Sequence, residues 1–165
     1  MSLEINNQAL FTEADKKELE ILLGLSIDRY LKFVASQSDP NFLFLKSFSF
    51  TEEIVNEIIL KLYGHKDTGS FGRKLKKIKQ FTKDKDFKKS YDLLLTIINQ
   101  RNDIAHNLEY KIEEDVEFWN LLLKKYPKNK NKKELLARLF SDVIHGFLYL
   151  NTGLRIMPNF IVYKK

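Results

Sequence analysis

The residues best suited to chemistry lie in one decapeptide, Ile98-Asn99-Gln100-Arg101-Asn102-Asp103-Ile104-Ala105-His106-Asn107. Arginine carries a permanent charge and a planar fork of N–H donors that fits phosphate or carboxylate. Histidine titrates near neutrality and can move a proton. Asn99, Asn102 and His106 fall at i, i+3 and i+7, one stripe of a helix, so Asn102 can orient His106 across one turn. Arg101 belongs to a different stripe. Phe87, Tyr91, Leu94 and Ile98 repeat at steps of four, three and four, and the next positions on that seam are Arg101 and Ala105. A guanidinium is therefore expected on a buried stripe, where an unpaired charge is strongly destabilising. A carboxylate from another helix, a partner subunit or a bound phosphate must meet it. Five residues of ideal helix turn through about 140°, so Arg101 and His106 are not strictly co-facial. Their convergence requires a distortion near Asn107, a bent arginine, or a second copy that supplies half the site.

The elements that position these residues read as helices. Thr12-Glu13-Ala14-Asp15 resembles a capping box and opens a helix of about 13–37, with Leu19, Leu22, Leu23, Tyr30, Phe33 and Val34 at helical spacing. Ser38-Asp39-Pro40-Asn41 ends it. Residues 42–50 fit either a short extended piece or a helical turn. A second helix spans about 51–63, with Ile54, Ile58 and Leu62 on one stripe and Gly64 as its C-cap. After a loop, a basic helix of about 71–81 places Phe71, Leu75, Ile78 and Phe81 under Arg73, Lys74, Lys76, Lys77 and Lys79. The motif helix covers about 86–107, a fifth about 113–124, and a last about 132–154 with Leu136, Leu139, Val143, Phe147, Leu150 and Leu154 on its core face. No repeat or linker divides the chain, so the expected fold is all-α, one antiparallel bundle of five to six helices over 1–165.

The 165 residues are 44% hydrophobic and 30% charged, the profile of one folded domain rather than a disordered chain. Zero cysteines exclude a disulfide scaffold, a thiolate metal site and a cysteine nucleophile. The first residues lack a basic n-region and an apolar h-region, and no apolar run approaches the length of a spanning helix, so a cytoplasmic location is expected. The net charge of +6 is unevenly spread: residues 66–89 carry ten basic and three acidic side chains, and 124–133 six basic and none acidic. Such patches suit an anionic partner, nucleic acid first, although a solvated lysine-rich surface explains them as well.

Arg101-Asn102-Asp103-Ile104-Ala105-His106 resembles the Arg-polar-x-x-x-His signature of the HEPN superfamily, α-helical domains of which many are metal-independent endoribonucleases of toxin, abortive-infection and RNA-surveillance systems. The resemblance spans residues 51–107, and Gly69-Ser70-Phe71-Gly72-x-x-Leu75-x-x-Ile78 is similar to the glycine-bearing helix start of several HEPN groups. It implies that Arg101 neutralises the scissile phosphate, that His106 is the acid/base near the ribose 2′-hydroxyl, and that Asn102 orients the pair. Attack by the 2′-oxygen would leave a 2′,3′-cyclic phosphate; the nucleophile lies within the substrate, so neither metal nor other cofactor is expected. The resemblance further implies a homodimer with the site where two motif helices meet, RNA as partner, and, for a toxin, an antitoxin or regulatory protein. Arg73, Lys74, Lys76 and Lys77 would grip the RNA backbone. Some toxins of the family carry a tyrosine two residues after the histidine; here that position is Leu108, with Tyr110 two further on.

Other readings of the same residues stand beside this one. An Arg and a His near a helix end also complement the macrodipole. A non-catalytic binding or regulatory module is the alternative, like the mannitol-operon-repressor-type proteins that share an Arg-Asn-x-x-Ala-His stretch; Arg101 would then have a carboxylate partner in its own subunit, whereas a catalytic arginine would face an open, dimer-lined groove. Arg138, Asp142, His145 and Tyr149 form a second polar stripe, read first as an i,i+4 ion pair on a solvated face. Glu113, Glu114, Asp115 and Glu117 read as first-turn acids rather than a metal cluster, and His65 as a helix-end residue. No phosphate loop, nucleophile elbow or dinucleotide fingerprint is present.

Overall fold

The structure is a computed structural model that describes residues 3–4, 12–129, 131–156 and 163–164. Thr12 accepts from the Asp15 backbone N–H while Asp15 accepts from that of Thr12, the expected capping box, and α1 runs Glu13–Ser36. The stretch left undecided between extended and helical is helix. Pro40 follows an Asp39 cap whose carboxylate accepts from Phe42 N at 3.0 Å, and α2 runs unbroken over Pro40–Tyr63. Proline ends one helix and opens the next, because its missing N–H is one the first turn leaves unbonded anyway. Leu43, Phe44, Ser47, Phe48, Thr51, Ile54, Val55, Ile58 and Ile59 make one buried helical stripe. Two of its members are polar, and both are satisfied: the Ser47 hydroxyl pairs with Tyr30 Oη at 3.0 Å, and Thr51 Oγ1 donates to the Ser47 carbonyl at 3.1 Å. Gly64 closes α2 in the left-handed conformation, φ 73°.

The basic helix α3 is shorter than expected, Phe71–Lys79, although Phe81 beyond it is still buried. The motif helix α4 spans Lys85–His106 behind an Asp84 cap. The expected fifth helix is divided. A single 3-10 turn, Ile112–Glu114, precedes α5, Val116–Lys125, because Asp115 turns out of the helix to cap Phe118 N at 2.9 Å. The last helix, α6, covers Lys132–Ile156 and extends slightly past its expected end. Leu3–Glu4 and Tyr163–Lys164 form a two-residue antiparallel bridge.

All six expected core residues of α6 are buried, and so is most of its circumference, as in a helix surrounded by others. Lys133 Nζ reaches the Ala35 carbonyl, so α1 runs antiparallel to α6. Lys61 and Glu57 bond Asn151, so α2 runs parallel to it. Phe44 packs edge-on against Phe140 and Phe118, and Phe87 edge-on against Phe147, which joins α2, α4 and α5 to α6 in one helical bundle. Among the described residues no helix is long and apolar enough to cross a membrane.

At Gly146 the backbones of α4 and α6 come close together. A Cβ there would stand 2.5 Å from the Asp86 carbonyl and 2.7 Å from both Phe87 Cα and Ser90 Oγ. Two of those atoms are backbone and cannot swing aside. Gly146→Ala is expected to destabilise by about 2–3 kcal/mol through overpacking. Gly24→Ala, on α1 with nothing within 4 Å, is expected to be neutral or to stabilise by about 0.5–1 kcal/mol. Urea unfolding of the two variants beside the parent checks both.

Candidate functional site

The C-terminal end of α4 is held from three directions. Asn107 leaves the helix in an extended conformation with its N–H on the Asp103 carbonyl. The Asn41 amide then pins the following loop, Nδ2 donating to the Tyr110 carbonyl at 3.1 Å and Oδ1 accepting from Ile112 N at 2.8 Å. Tyr110 donates its hydroxyl to Asp115 Oδ2 at 2.6 Å, and burial followed by that bond raises its pKa. The loop that follows the motif helix is thus fixed against the start of α2.

Arg101 sits at the seam between α2 and α4. Its Nη2 donates to Glu52 Oε1 at 3.3 Å, its Nη1 to Asn102 Oδ1 at 3.4 Å, and its Cζ lies 5.8 Å from the centroid of the buried Phe48 ring. Phe48 and Glu52 are one turn apart on α2, so one helix supplies both the aromatic face and the carboxylate. The side chains of Arg101 and Glu52 are 32% and 29% exposed. This corrects the expectation of a guanidinium on a buried stripe, since Arg101 is only half-buried. The buried face of α4 is Phe87, Ser90, Tyr91, Leu93, Leu94 and Ile97; Ile98, Arg101 and Ile104 are half-buried and Ala105 is exposed. A straight helix drifts relative to a seven-residue repeat, which rotates the end of the seam toward solvent.

Asn99, Asn102 and His106 are all exposed and lie along one face, with Leu95, 45% exposed, one turn before Asn99. Asn102 is the link. It accepts from Arg101 and stands one turn from His106, while no hydrogen bond joins Arg101 to His106 among the described residues. Glu52 had no signal in the sequence, since only the register of α2 against α4 brings it to Arg101.

Of the four basic residues assigned to the RNA backbone, two are engaged elsewhere. Lys77 pairs with Asp67 and lies 5.0 Å above the Tyr63 ring, and Lys74 Nζ donates to Asn56 Oδ1 at 2.7 Å. Arg73 and Lys76 are exposed. Phe71, at the start of α3, packs 5.4 Å from Phe48, so this helix and Arg101 flank the same aromatic ring. The two basic patches of the sequence meet in a groove of about 400 Å³, where Lys85, Lys88 and Lys89 of the first stand beside Lys125 of the second, with Asp92 and Thr96; that meeting had no signal in the sequence. In the 128–133 run, Lys132 Nζ bonds the Glu113 carbonyl and Lys133 Nζ that of Ala35, while Lys130 lies outside the described residues.

The second polar stripe is an ion pair with an added partner: Arg138 Nε is 3.7 Å from Asp142 Oδ1, and Tyr126 donates to Asp142 Oδ2 at 2.8 Å. His145 is exposed. The Asp115 carboxylate is occupied by Phe118 N and Tyr110, as expected of a first-turn acid, and His65 Nδ1 faces the Lys66 carbonyl at 3.2 Å. Compared with protein-family models, with curated proteins and with solved structures, the chain finds no match in any of the three.

Two outcomes follow from these contacts. Glu52→Ala is expected to lower stability by less than about 1 kcal/mol, a difference that shrinks as salt is added, because the pair is about a third exposed. Asp67 is held below its ordinary 3.8, at about 2, first by the Lys77 hydrogen bond and then by Gly69 N. A carboxylate whose folded pKa is depressed contributes stability above its unfolded pKa and loses it as the pH falls through the folded one. The stability difference between the parent and Asp67→Asn should therefore be constant above about pH 5 and close between 3.8 and about 2. Denaturant melts across that range check it.

Proposed function

We propose that the chain is a HEPN-type, metal-independent endoribonuclease, with a toxin or defence role, whose site is completed by a second copy of itself. The observation that carries this reading is the arrangement at the end of α4. A guanidinium about a third exposed donates to Asn102, which stands on an exposed polar face that ends in His106. Glu52 and Asn102 each take one donor of Arg101, which leaves further N–H groups for a phosphate oxygen. Because Arg101 is tied toward α2 and His106 lies on the outer face, a partner's motif helix is the economical source of the missing half. Leu95 and the wholly exposed Leu108 flank that face and give a second copy apolar area to cover. In the proposed reaction His106 takes the proton of the ribose 2′-hydroxyl and Arg101 balances the charge that grows on the phosphate. The 2′-oxygen bonds to phosphorus as the bond from phosphorus to the 5′-oxygen breaks, and the 5′-oxygen leaves with a proton taken from solvent water. Arg73 and Lys76 would hold flanking RNA backbone, and an antitoxin is a further proposed partner.

The Arg101–Glu52 pair favours a second reading. A carboxylate partner inside the same subunit is what a non-catalytic, mannitol-repressor-like module would have, with Arg101 serving the α2–α4 seam.

Cleavage of labelled RNA in the presence of EDTA tests the first reading. The parent is expected to release products ending in a 2′,3′-cyclic phosphate, and His106→Ala and Arg101→Ala to lose on the order of 10²–10⁴-fold in rate. No cleavage by the parent, or a His106→Ala variant as fast as the parent, rejects it. Glu52→Gln separates the readings by binding. If Arg101 meets phosphate, removing its competing carboxylate tightens RNA binding; if Arg101 is structural, RNA affinity stays unchanged.

A further inference from the structure

We propose that the groove between α1 and α2 is a binding site for a small aromatic anion, with Tyr30, Phe33 and Phe50 receiving the ring and Arg29 and Lys46 its charge. The groove encloses about 320 Å³, enough for a ligand of one or two fused rings. It exists because both helices pack on α6 while Phe33 and Phe50 between them are only half-covered. The Tyr30 ring is buried, and it stands nearly parallel to that of Phe50, 6° between planes and 6.4 Å between centroids. Rings so aligned give a flat ligand one common stacking direction, which a branched aliphatic body could not use.

The polar groups of the floor are already satisfied. Tyr30 Oη and the Ser47 hydroxyl bond one another in the interior, and burial raises the tyrosine pKa above its ordinary value. The charge at the groove is therefore positive. Arg29 is one turn before Phe33 on α1 and Lys46 one turn before Phe50 on α2, so each cation adjoins an aromatic wall. Some cations of the fold have acidic partners, such as Arg101 with Glu52, Lys77 with Asp67, and Lys32 with the nearby Asp28 at 2.8 Å, whereas others, such as Lys76 on α3, stand on open surface away from an apolar slot. Arg29 and Lys46 have no acidic partner among the described residues. Lys46 Nζ lies 5.7 Å from the Phe42 ring centroid, which leaves its hydrogen-bond donors unused. Two unmatched cations beside an apolar slot complement a carboxylate, sulfonate or phosphate carried on a ring.

Amide NMR of the whole chain titrated with 2-naphthoate and with 5′-AMP tests this and separates an aryl carboxylate from a nucleotide. Their uncharged counterparts, 2-naphthamide and adenosine, test the anion. At least one anionic probe is expected to bind one-to-one, with shifts concentrated at residues 26–33 and 46–50. Its uncharged counterpart should bind at least tenfold more weakly. The double variant Arg29→Gln/Lys46→Gln changes only exposed side chains and should reduce the anion to the affinity of that counterpart. The proposal is overturned if neither anion shifts the groove, if charged and uncharged forms bind alike, or if the shifts gather on α3 and α4. It is equally overturned if the groove resonances move on dilution of the protein alone, which would mean that a second copy occupies it.

Discussion

A guanidinium held at the junction of two helices is the contact on which the candidate site depends. Arg101 stands over the face of Phe48 and donates to Glu52, and both partners come from successive turns of α2. That geometry requires α2 to continue without a break from Pro40 past residue 52, and α4 to lie against it in the opposite sense. Asn41 fixes one end of this register by binding the loop beyond α4 through both atoms of its amide. A half-exposed pair of this kind adds little to stability. Its consequence is placement: the arginine is restrained between α2 and α4 while its side chain stays about a third exposed.

The second constraint is the near contact of α4 with α6. Gly146 lets the backbone of Asp86 and Phe87 come within the distance a methyl group would occupy, and Ser90 seals the junction by donating to the Asp142 carbonyl at 2.7 Å and accepting from Gly146 N at 3.0 Å. The N-terminal half of α4 is therefore clamped on the central helix, and its C-terminal half projects along α2 to the exposed face of His106. Phe48 transmits the arrangement to α3 through Phe71, which places the basic helix on the flank of Arg101. Packing of the apolar core thus decides where the charged groups stand.

The helices were legible because their apolar positions recur at helical spacing and their caps are chemically explicit: Thr12 and Asp15, Gly64, and the core face of α6 all behave as their residue types require. Residues 42–50 were not, since Ser47 interrupts the apolar stripe, and it is the tertiary partner Tyr30 that satisfies its hydroxyl. Asp115 hid a helix start inside an acidic run that read as one continuous turn. At the site, the sequence exposed Arg101, Asn102 and His106 and the anomaly of a charge on a seam. It could not expose Glu52, which is 49 residues away and adjacent only through helix register. Nor could it show that Lys74 and Lys77 are occupied by Asn56 and Asp67, because a lysine-rich helix looks the same whether its amines are free or bound.

The central claim is that Arg101 of one copy and His106 of another act at one site. It is tested most directly by mixing two inactive variants, Arg101→Ala and His106→Ala, under conditions that let subunits exchange, and measuring RNA cleavage. A site shared across a two-fold axis is rebuilt in the mixed dimer, one of whose two sites then carries both intact residues, so activity should return well above that of either variant alone. A mixture that stays as inactive as its components contradicts the shared site.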